Sequence, residues 1–217
     1  MRNAAIWLAD KGHQDEVIRS RDSVRAVMPE LEQVSVVVQR HNALWYADWI
    51  DGLIAALALP VDNFVFFDSD VYAIKPFTDI FTILDHYDLA SAHAPARQTT
   101  NMPFQMPDAF CEFNTGVLAF RNTDLIAVLF RHWRDVLIQH AAVTGDNDQA
   151  PLRMALWDMP AIKVWVLPPE YNCRFGFGGF AAGEVKLLHG RSDTLGAIAS
   201  HINRNTQMRT WERGFYQ

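Results

Sequence analysis

The chain has 217 residues, half of them hydrophobic and a fifth charged, the balance of a soluble globular protein long enough to bury a core. Its formal net charge of −6 argues against a broad nucleic-acid surface, which needs clustered Lys and Arg, yet leaves room for a phosphate ligand whose charge a cation balances. Two cysteines, Cys111 and Cys173, make no disulfide framework, no apolar run reaches membrane-span length, and the start reads as a strand rather than a signal peptide; the expected setting is the cytoplasm.

In chain order, residues 4–8 are apolar and form the first expected strand. Residues 15–28 place Val17, Val24 and Met28 at helical spacing between charges, and Pro29 ends that helix. The Val-rich run 34–38 follows as a second strand. The aromatic stretch 41–51 has no readable periodicity, and residues 53–59 form a short Ala-rich helix ending at Pro60. Residues 64–67, Phe-Val-Phe-Phe, make the clearest strand: continuously apolar, aromatic and β-branched, as buried parallel strands are. A helix over 76–84 and a strand over 89–92 come next. Residues 95–107 carry three prolines and read as a long loop of the kind that often serves as a lid. A strand over 117–120 leads to Asn122, Thr123 and Asp124, N-cap chemistry for a helix with an apolar stripe at Leu125, Leu129, Trp133 and Val136. A further helix follows Asp148 through Leu152 and Leu156, and the last strands are 164–167 and 185–188. The tail beyond Arg191 has weak helical character and ends in Trp211, Phe215 and Tyr216. Strands alternating with amphipathic helices indicate an α/β fold, and no repeat or boundary divides 1–217, so one domain is expected.

The chemistry concentrates where strand 64–67 ends on Asp68-Ser69-Asp70. Two carboxylates one residue apart at the mouth of a buried strand repel each other unless positive charge lies between them. Positions i and i+2 of a strand share a face, so Asp68 and Asp70 are placed to converge on one ion. Oxygen ligands suit Mg²⁺ or Mn²⁺, and the carboxyl end of a parallel strand is where open α/β sheets bind ligands. A strand followed by Asp-x-Asp also opens the haloacid-dehalogenase-type phosphatases, in which the first Asp is a nucleophile. That alternative expects the motif near the N-terminus and a later acidic loop. Here two strand units precede the motif, and after Gly145-Asp146-Asn147-Asp148 residue 150 is Ala where a second spaced Asp is wanted.

The run 64–72, centred on Asp68, Ser69 and Asp70, resembles the metal-binding strand of GT-A glycosyltransferases. It is similar in particular to the nucleotide-diphospho-sugar transferases related to glycosyltransferase family 8. Further segments fall in that family's order: residues 92–97, then Glu112-Phe113-Asn114-Thr115-Gly116-Val117, Asp148-Gln149-Ala150-Pro151, residues 168–175, and Leu188-His189-Gly190-Arg191. The likeness runs over about 4–191. It implies a Rossmann-like GT-A fold with a mostly parallel central sheet flanked by helices. It also implies metal-dependent transfer of a sugar from a nucleoside-diphosphate sugar to a glycan or small-molecule acceptor hydroxyl, with retention of configuration.

On the same resemblance, Asp68, Asp70 and His189 ligate Mn²⁺ or Mg²⁺. Asn114, on an Asn-Thr-Gly turn, hydrogen-bonds the donor sugar, and Gly116 lets the backbone come close. Asp148 binds the sugar and Gln149 lies near the anomeric carbon. Ala9 and Asp10 meet the base and ribose, and Ser69 and Gly190 fall within the donor-binding segments. Arg97, Arg174 and Arg191 are candidate phosphate or acceptor contacts, while His93 is a strand-end histidine. Read without the family, residues 114–116 are an ordinary turn, Asp148 is a helix N-cap and His189 a polar residue before a glycine turn. Glu112 and Asp148 are the carboxylates available should the reaction invert and need a base. One position departs from the pattern. Relatives place a Lys or Arg on the helix before the metal strand, but that place falls on Gly52, with no basic residue in 53–59. Either Arg40 or another residue substitutes, or donor binding is altered, or the chain has lost activity and binds without turnover.

Overall fold

The computed structural model describes the chain except residues 11, 40, 42, 97–105, 205–208 and 216–217. Arg40, Arg97, Tyr216 and most of the expected 95–107 loop therefore lie outside the described residues.

Burial with a period of two builds the centre. In β1 (Asn3–Ala9), Ala4, Ile6 and Leu8 face one apolar cluster while Ala5, Trp7 and Ala9 face another. In β3 (Asn63–Phe67), Phe64 and Phe66 divide in the same way from Val65 and Phe67. Both faces are covered, which is why these strands read as unbroken apolar runs. With β2 (Glu32–Val37), β5 (Leu89–His93), β6 (Phe113–Arg121) and β7 (Val164–Leu167) they form a six-stranded sheet in the order β2-β1-β3-β6-β5-β7. Only β6 runs against the rest, pairing antiparallel with β3 and β5. The sheet is thus mostly parallel, as expected.

On one face lie α1 (Gln14–Val27) and the short α3 (Asp79–Ile83), burying Val17, Val24 and Ile80 against Trp7 and Phe67. On the other lie α2 (Trp45–Ala56), α4 (Asp124–Thr144) and α5 (Gln149–Asp158). There the Trp49 ring meets Phe66 and Trp133 edge-on, with centroids 4.7 and 5.6 Å apart. Thr123 begins α4 as its sequence indicates, its Oγ1 accepting from the Ile126 N–H at 3.3 Å. A smaller layer completes the described chain. In it β4 (Val71–Ala73) pairs antiparallel with β9 (Leu187–His189), and β8 (Gly179–Ala181) with β10 (Arg209–Trp211). Ile198 and Ile202 of α6 (Leu195–Ile202) pack with Tyr72, Phe175 and Trp211.

Three expectations change. The unreadable stretch 41–51 contains most of α2, whose burial of Ala47, Asp48, Trp49, Ile50, Gly52 and Leu53 on nearly every side erases a helical stripe. The strand expected over 185–188 is β9, shifted so that His189 is its last residue. Asn114, Thr115 and Gly116 are not a turn but lie inside β6. Their turn-like composition marks an irregularity instead: the β5–β6 register shifts between Ser91 and His93. There the Ser91 hydroxyl serves the carbonyls of Asn114 and Val117 at 2.7 and 3.0 Å. No described helix is long and apolar enough to cross a membrane.

Candidate active site

Asp68 follows the last residue of β3, and its N–H still donates to the Gly116 carbonyl of β6 at 2.9 Å, so the sheet fixes where its carboxylate emerges. Asp70 precedes β4, whose register sets Val71 opposite His189. The Gly190 N–H closes that corner on the Asp70 carbonyl at 2.9 Å. Segments far apart in sequence therefore deliver Asp68, Asp70 and His189 to one point. His189 Nε2 lies 3.4 Å from Asp70 Oδ1 and 3.8 Å from Asp68 Oδ2, and one ligand atom of each residue lies within 4.8 Å of the others. An octahedral ion with bonds of about 2.1 Å sets adjacent ligands about 3.0 Å apart, so the His189 edges need only a small contraction. Two carboxylates and an imidazole suit Mn²⁺ and, less specifically, Mg²⁺.

Two glycines make this convergence possible. A Cβ at Gly116 would stand 2.1 Å from His189 Cε1 and 2.7 Å from Asp68 Oδ2. Gly190 has φ +145°, and a Cβ there would also meet the Phe175 ring at 2.9 Å.

Behind the cluster runs a chain of buried amides. His189 Nδ1 is 2.8 Å from Asn172 Oδ1, Asn172 Nδ2 donates to Asn114 Oδ1 at 2.8 Å, and Asn114 Nδ2 donates to Gln149 Oε1 at 3.3 Å. An amide oxygen only accepts, so His189 Nδ1 carries a proton toward Asn172, which leaves Nε2 as the nitrogen that faces the carboxylates. Arg174 Nη1 stands 3.4 Å from Nε2. Asn172 lies in a segment that the family motifs include, but its type and spacing carry no signal of this role.

Above the cluster opens a cleft of about 390 Å³. Its far wall joins α2 and α5. The Asp146 carboxylate caps α2, accepting from the N–H groups of Trp45 and Tyr46 at 2.9 and 3.1 Å. The side-chain capping of α5 falls to Asn147, whose Oδ1 accepts from the Ala150 N–H at 3.2 Å. Asp148 stands at the N-cap position but makes no capping bond, which corrects that simpler reading. It lines the cleft instead, hydrogen-bonded to Thr115, with Oδ2 buried and unpartnered among the described residues. Burial pushes its carboxyl up to about 6, Thr115 opposing and the charges of Asp146 and Glu112 adding. Burial also raises Asp68 to about 7; His189 pulls it back, while Asp70 and Asp148 push it further. For Asp70 burial works the same way, but the hydrogen bond and charge of His189, with Arg191 and Arg174, prevail and hold it low. One acid of the pair rises and the other falls, as carboxylates sharing a site do, and a divalent cation between them relieves the conflict.

The remaining candidates divide. Asp10 lines the cleft at the end of β1, with its Oδ1 already taking the N–H groups of Gly12 and His13 at 2.9 and 3.1 Å. Ala9 is buried and outside the cleft lining, its carbonyl accepting from Val38. Ser69 donates to Glu16 Oε2 at 2.7 Å, and Glu16 grips Arg191 through contacts of 2.9 and 3.1 Å. Arg191 also stands 3.6 Å from Asp70 Oδ2, so Arg174 and Arg191 both bring positive charge to the cleft. Glu112 is buried away from the cleft lining, and His93 lines a different cavity. Gly52 sits in the seam between α2 and the sheet, where a Cβ would lie 3.0 Å from Leu8 and 3.1 Å from Val38 side-chain carbons. Sequence reading missed the aromatic wall of Trp45, Tyr46 and Trp49, which falls in the stretch without periodicity.

No family model matches the sequence, and no curated protein sequence does either. Solved structures do match. The glycosyltransferase GlyE of Streptococcus pneumoniae TIGR4 superposes with a TM-score of 0.61 at 15% identity, over 89% of this chain and 55% of GlyE. This chain therefore spans about half the length of GlyE. Mouse xyloside xylosyltransferase 1 in its apo form gives 0.58 at 13% identity, over 89% of this chain and 99% of that one. The galactosyltransferase LgtC, solved with donor and acceptor sugar analogs, gives 0.58 at 13% identity, over 88% and 87%. The chain has the GT-A fold that its motifs imply.

Proposed function

We propose that the protein transfers a sugar from a nucleoside-diphosphate sugar to an acceptor hydroxyl, with Asp68, Asp70 and His189 holding Mn²⁺ or Mg²⁺. The observation that carries this reading is the meeting of those three side chains at a polar cleft on a transferase fold. The donor set fits the ion in charge and hardness, and the lack of a Cβ at Gly116 leaves the room that the His189 ring and Asp68 carboxylate occupy. When bound, a divalent cation supplies positive charge to the donor's diphosphate oxygens.

The chain's own residues do the rest. Arg174 and Arg191, beside the carboxylate pair, share the negative charge that builds on the departing diphosphate. Asp148, Asn114 and Gln149 form the part of the cleft left for the sugar: Asp148 accepts from its hydroxyls, and the paired amides fix its orientation. Asp10 and Ser69 border the nucleoside end. In the transfer the acceptor oxygen bonds to the anomeric carbon as the carbon–oxygen bond to the diphosphate breaks. The bonding pair leaves with the diphosphate, which or whose surrounding water takes the hydroxyl proton. Retention of configuration, implied by the likeness to family 8, belongs to this proposal.

The test is thermal unfolding with a panel of nucleoside-diphosphate sugars, with and without MnCl₂. A rise in Tm that needs both metal and nucleotide, and that Asp70→Asn abolishes, is expected for at least one member. No metal-dependent shift with any member would refute the reading.

A further inference from the structure

On the other side of Arg174 lies a second cavity of about 520 Å³, and the arginine lines both. Its walls are the edge strand β7, the β8–β10 pair and the residues just after β5. Trp165 and Val166 of β7 and Phe180 of β8 are 39%, 47% and 57% exposed, large apolar side chains on edges where charges or prolines usually stand. The aromatic walls are braced rather than loose. Trp165 rests against Tyr87 with ring centroids 5.0 Å apart, and Phe177 lies under the Arg174 guanidinium at 5.2 Å. The Trp211 indole donates to the Phe177 carbonyl, and its ring packs so close to Gly179 that a Cβ there would be 3.0 Å away.

Polar capacity is scarce among the described residues of this cavity. Apart from His93 and Arg174, the side chain best placed to hydrogen-bond is Asn172, and both ends of its amide already serve His189 and Asn114. A molecule hydroxylated all round would leave several groups unpaired against apolar walls, which opposes its burial there. The volume suits one small molecule. We propose that this cavity holds the acceptor, and that the acceptor is a small molecule with an apolar ring or alkyl body whose hydroxyl end points past Arg174 toward the donor. The assignment as acceptor rests on the transferase reading; the apolar character of the ligand rests on the cavity alone.

The test is calorimetric titration of the whole chain with methyl, n-octyl and 4-nitrophenyl β-glucosides, each repeated on Val166→Asp and Phe180→Asp. Both positions are exposed, so neither change threatens the core. The octyl and nitrophenyl glucosides are expected to bind at least about tenfold more tightly than the methyl glucoside, and both variants are expected to erase that preference. Equal affinities, or a preference that survives both variants, would overturn the proposal. So would a dimer that Phe180→Asp dissociates in sedimentation without any glucoside preference, because the face would then belong to a second copy. If the preference holds but no nucleotide gives a metal-dependent shift, the transferase reading falls and the apolar-ligand site stands.

Discussion

Gly116→Ala separates the space a residue needs from the chemistry it performs. Gly116 is not among the glycines with positive φ, so its strand backbone accepts alanine without strain. The added methyl is the whole perturbation, and it would land 2.1 Å from His189 Cε1 and 2.7 Å from Asp68 Oδ2. Carbon atoms rest about 3.5 Å apart, so the imidazole must retreat by about 1.4 Å. His189 is 2% exposed and tied through Nδ1 to Asn172, leaving little room for that retreat. A retreat of that size moves the imidazole away from the carboxylates and out of bonding range of a shared ion, so the site loses its imidazole and Mn²⁺ affinity should fall by about 100-fold or more. Overpacking should also cost about 1–3 kcal/mol, a Tm drop of roughly 2–12 °C for a chain of this size. Calorimetric titration with MnCl₂, alongside metal-free thermal unfolding, reads both. Gly176→Ala is the control, since nothing lies within 4 Å of its Cβ position and its φ is not positive; both readouts should be unmoved. A folded Gly116→Ala protein binding Mn²⁺ within about twofold of the parent would refute the assignment of the ion to these three side chains.

The other predictions concern charge, orientation and capping. The folded Asp68 carboxyl, at about 7, lies above its ordinary value of 3.8, so the native state holds the extra proton between those values and loses stability as pH rises through about 7. Without metal, Asp68→Asn should therefore melt increasingly above the parent as pH rises from about 4 to about 7, with the full gap at pH 8 and none below about pH 4. A parent as stable as the variant at pH 8 would show that Asp68 is not held in this way. Asp148, raised to about 6, carries the same sign at slightly lower pH. Asn172→Leu removes the acceptor from His189 Nδ1 and should weaken Mn²⁺ binding by about 10–100-fold, whereas Asn172→Asp, which keeps that acceptor, should retain more of it. Equal affinity in the Leu variant would dismiss the tether. Asp146→Ala uncaps α2 and should cost about 0.5–2 kcal/mol by thermal or urea unfolding, with an unchanged Tm as the contrary result.

What could be read beforehand follows from which signals are local. Phe64 to Phe67 announced a buried strand because burial on both faces demands apolar residues at every position. The Asp68–Asp70 pair was legible from the same place, since a strand end and two acids are features of adjacent residues. His189, Asn114 and Asp148-Gln149 came only from family likeness, because their meeting depends on the β4–β9 register and on the β5–β6 irregularity. The turn expected at 114–116 shows the limit: Asn-Thr-Gly has turn composition, and only pairing with strands on both sides reveals that it lies inside a sheet. Asn172 had no local mark, as an amide linking a histidine to another amide is defined by three-dimensional neighbours alone. Trp45, Tyr46 and Trp49 were hidden for the opposite reason: a helix buried on almost every side has no stripe to detect.

Gly52 bears on whether the site has decayed into one that binds without turnover. Its position in the seam against Leu8 and Val38 means that a long basic side chain there must first escape tight packing. Arg174 and Arg191 bring cationic charge to the cleft from other elements, so a missing cation at 52 does not leave the diphosphate end without positive charge. The cleft also keeps arrangements that work against the unliganded fold: two acids beside one another and a buried Asp148 Oδ2 unpartnered among the described residues, the latter costing about 1–3 kcal/mol. Such costs are offset when a ligand brings donors and charge. Moreover, the chain from His189 through Asn172 and Asn114 to Gln149 links the proposed nitrogen ligand and the proposed sugar-facing amides as one unit. Decay confined to catalysis would have to spare the first half of that chain while loosening the second. Both halves are intact and buried, so the structure shows no loosening at the second.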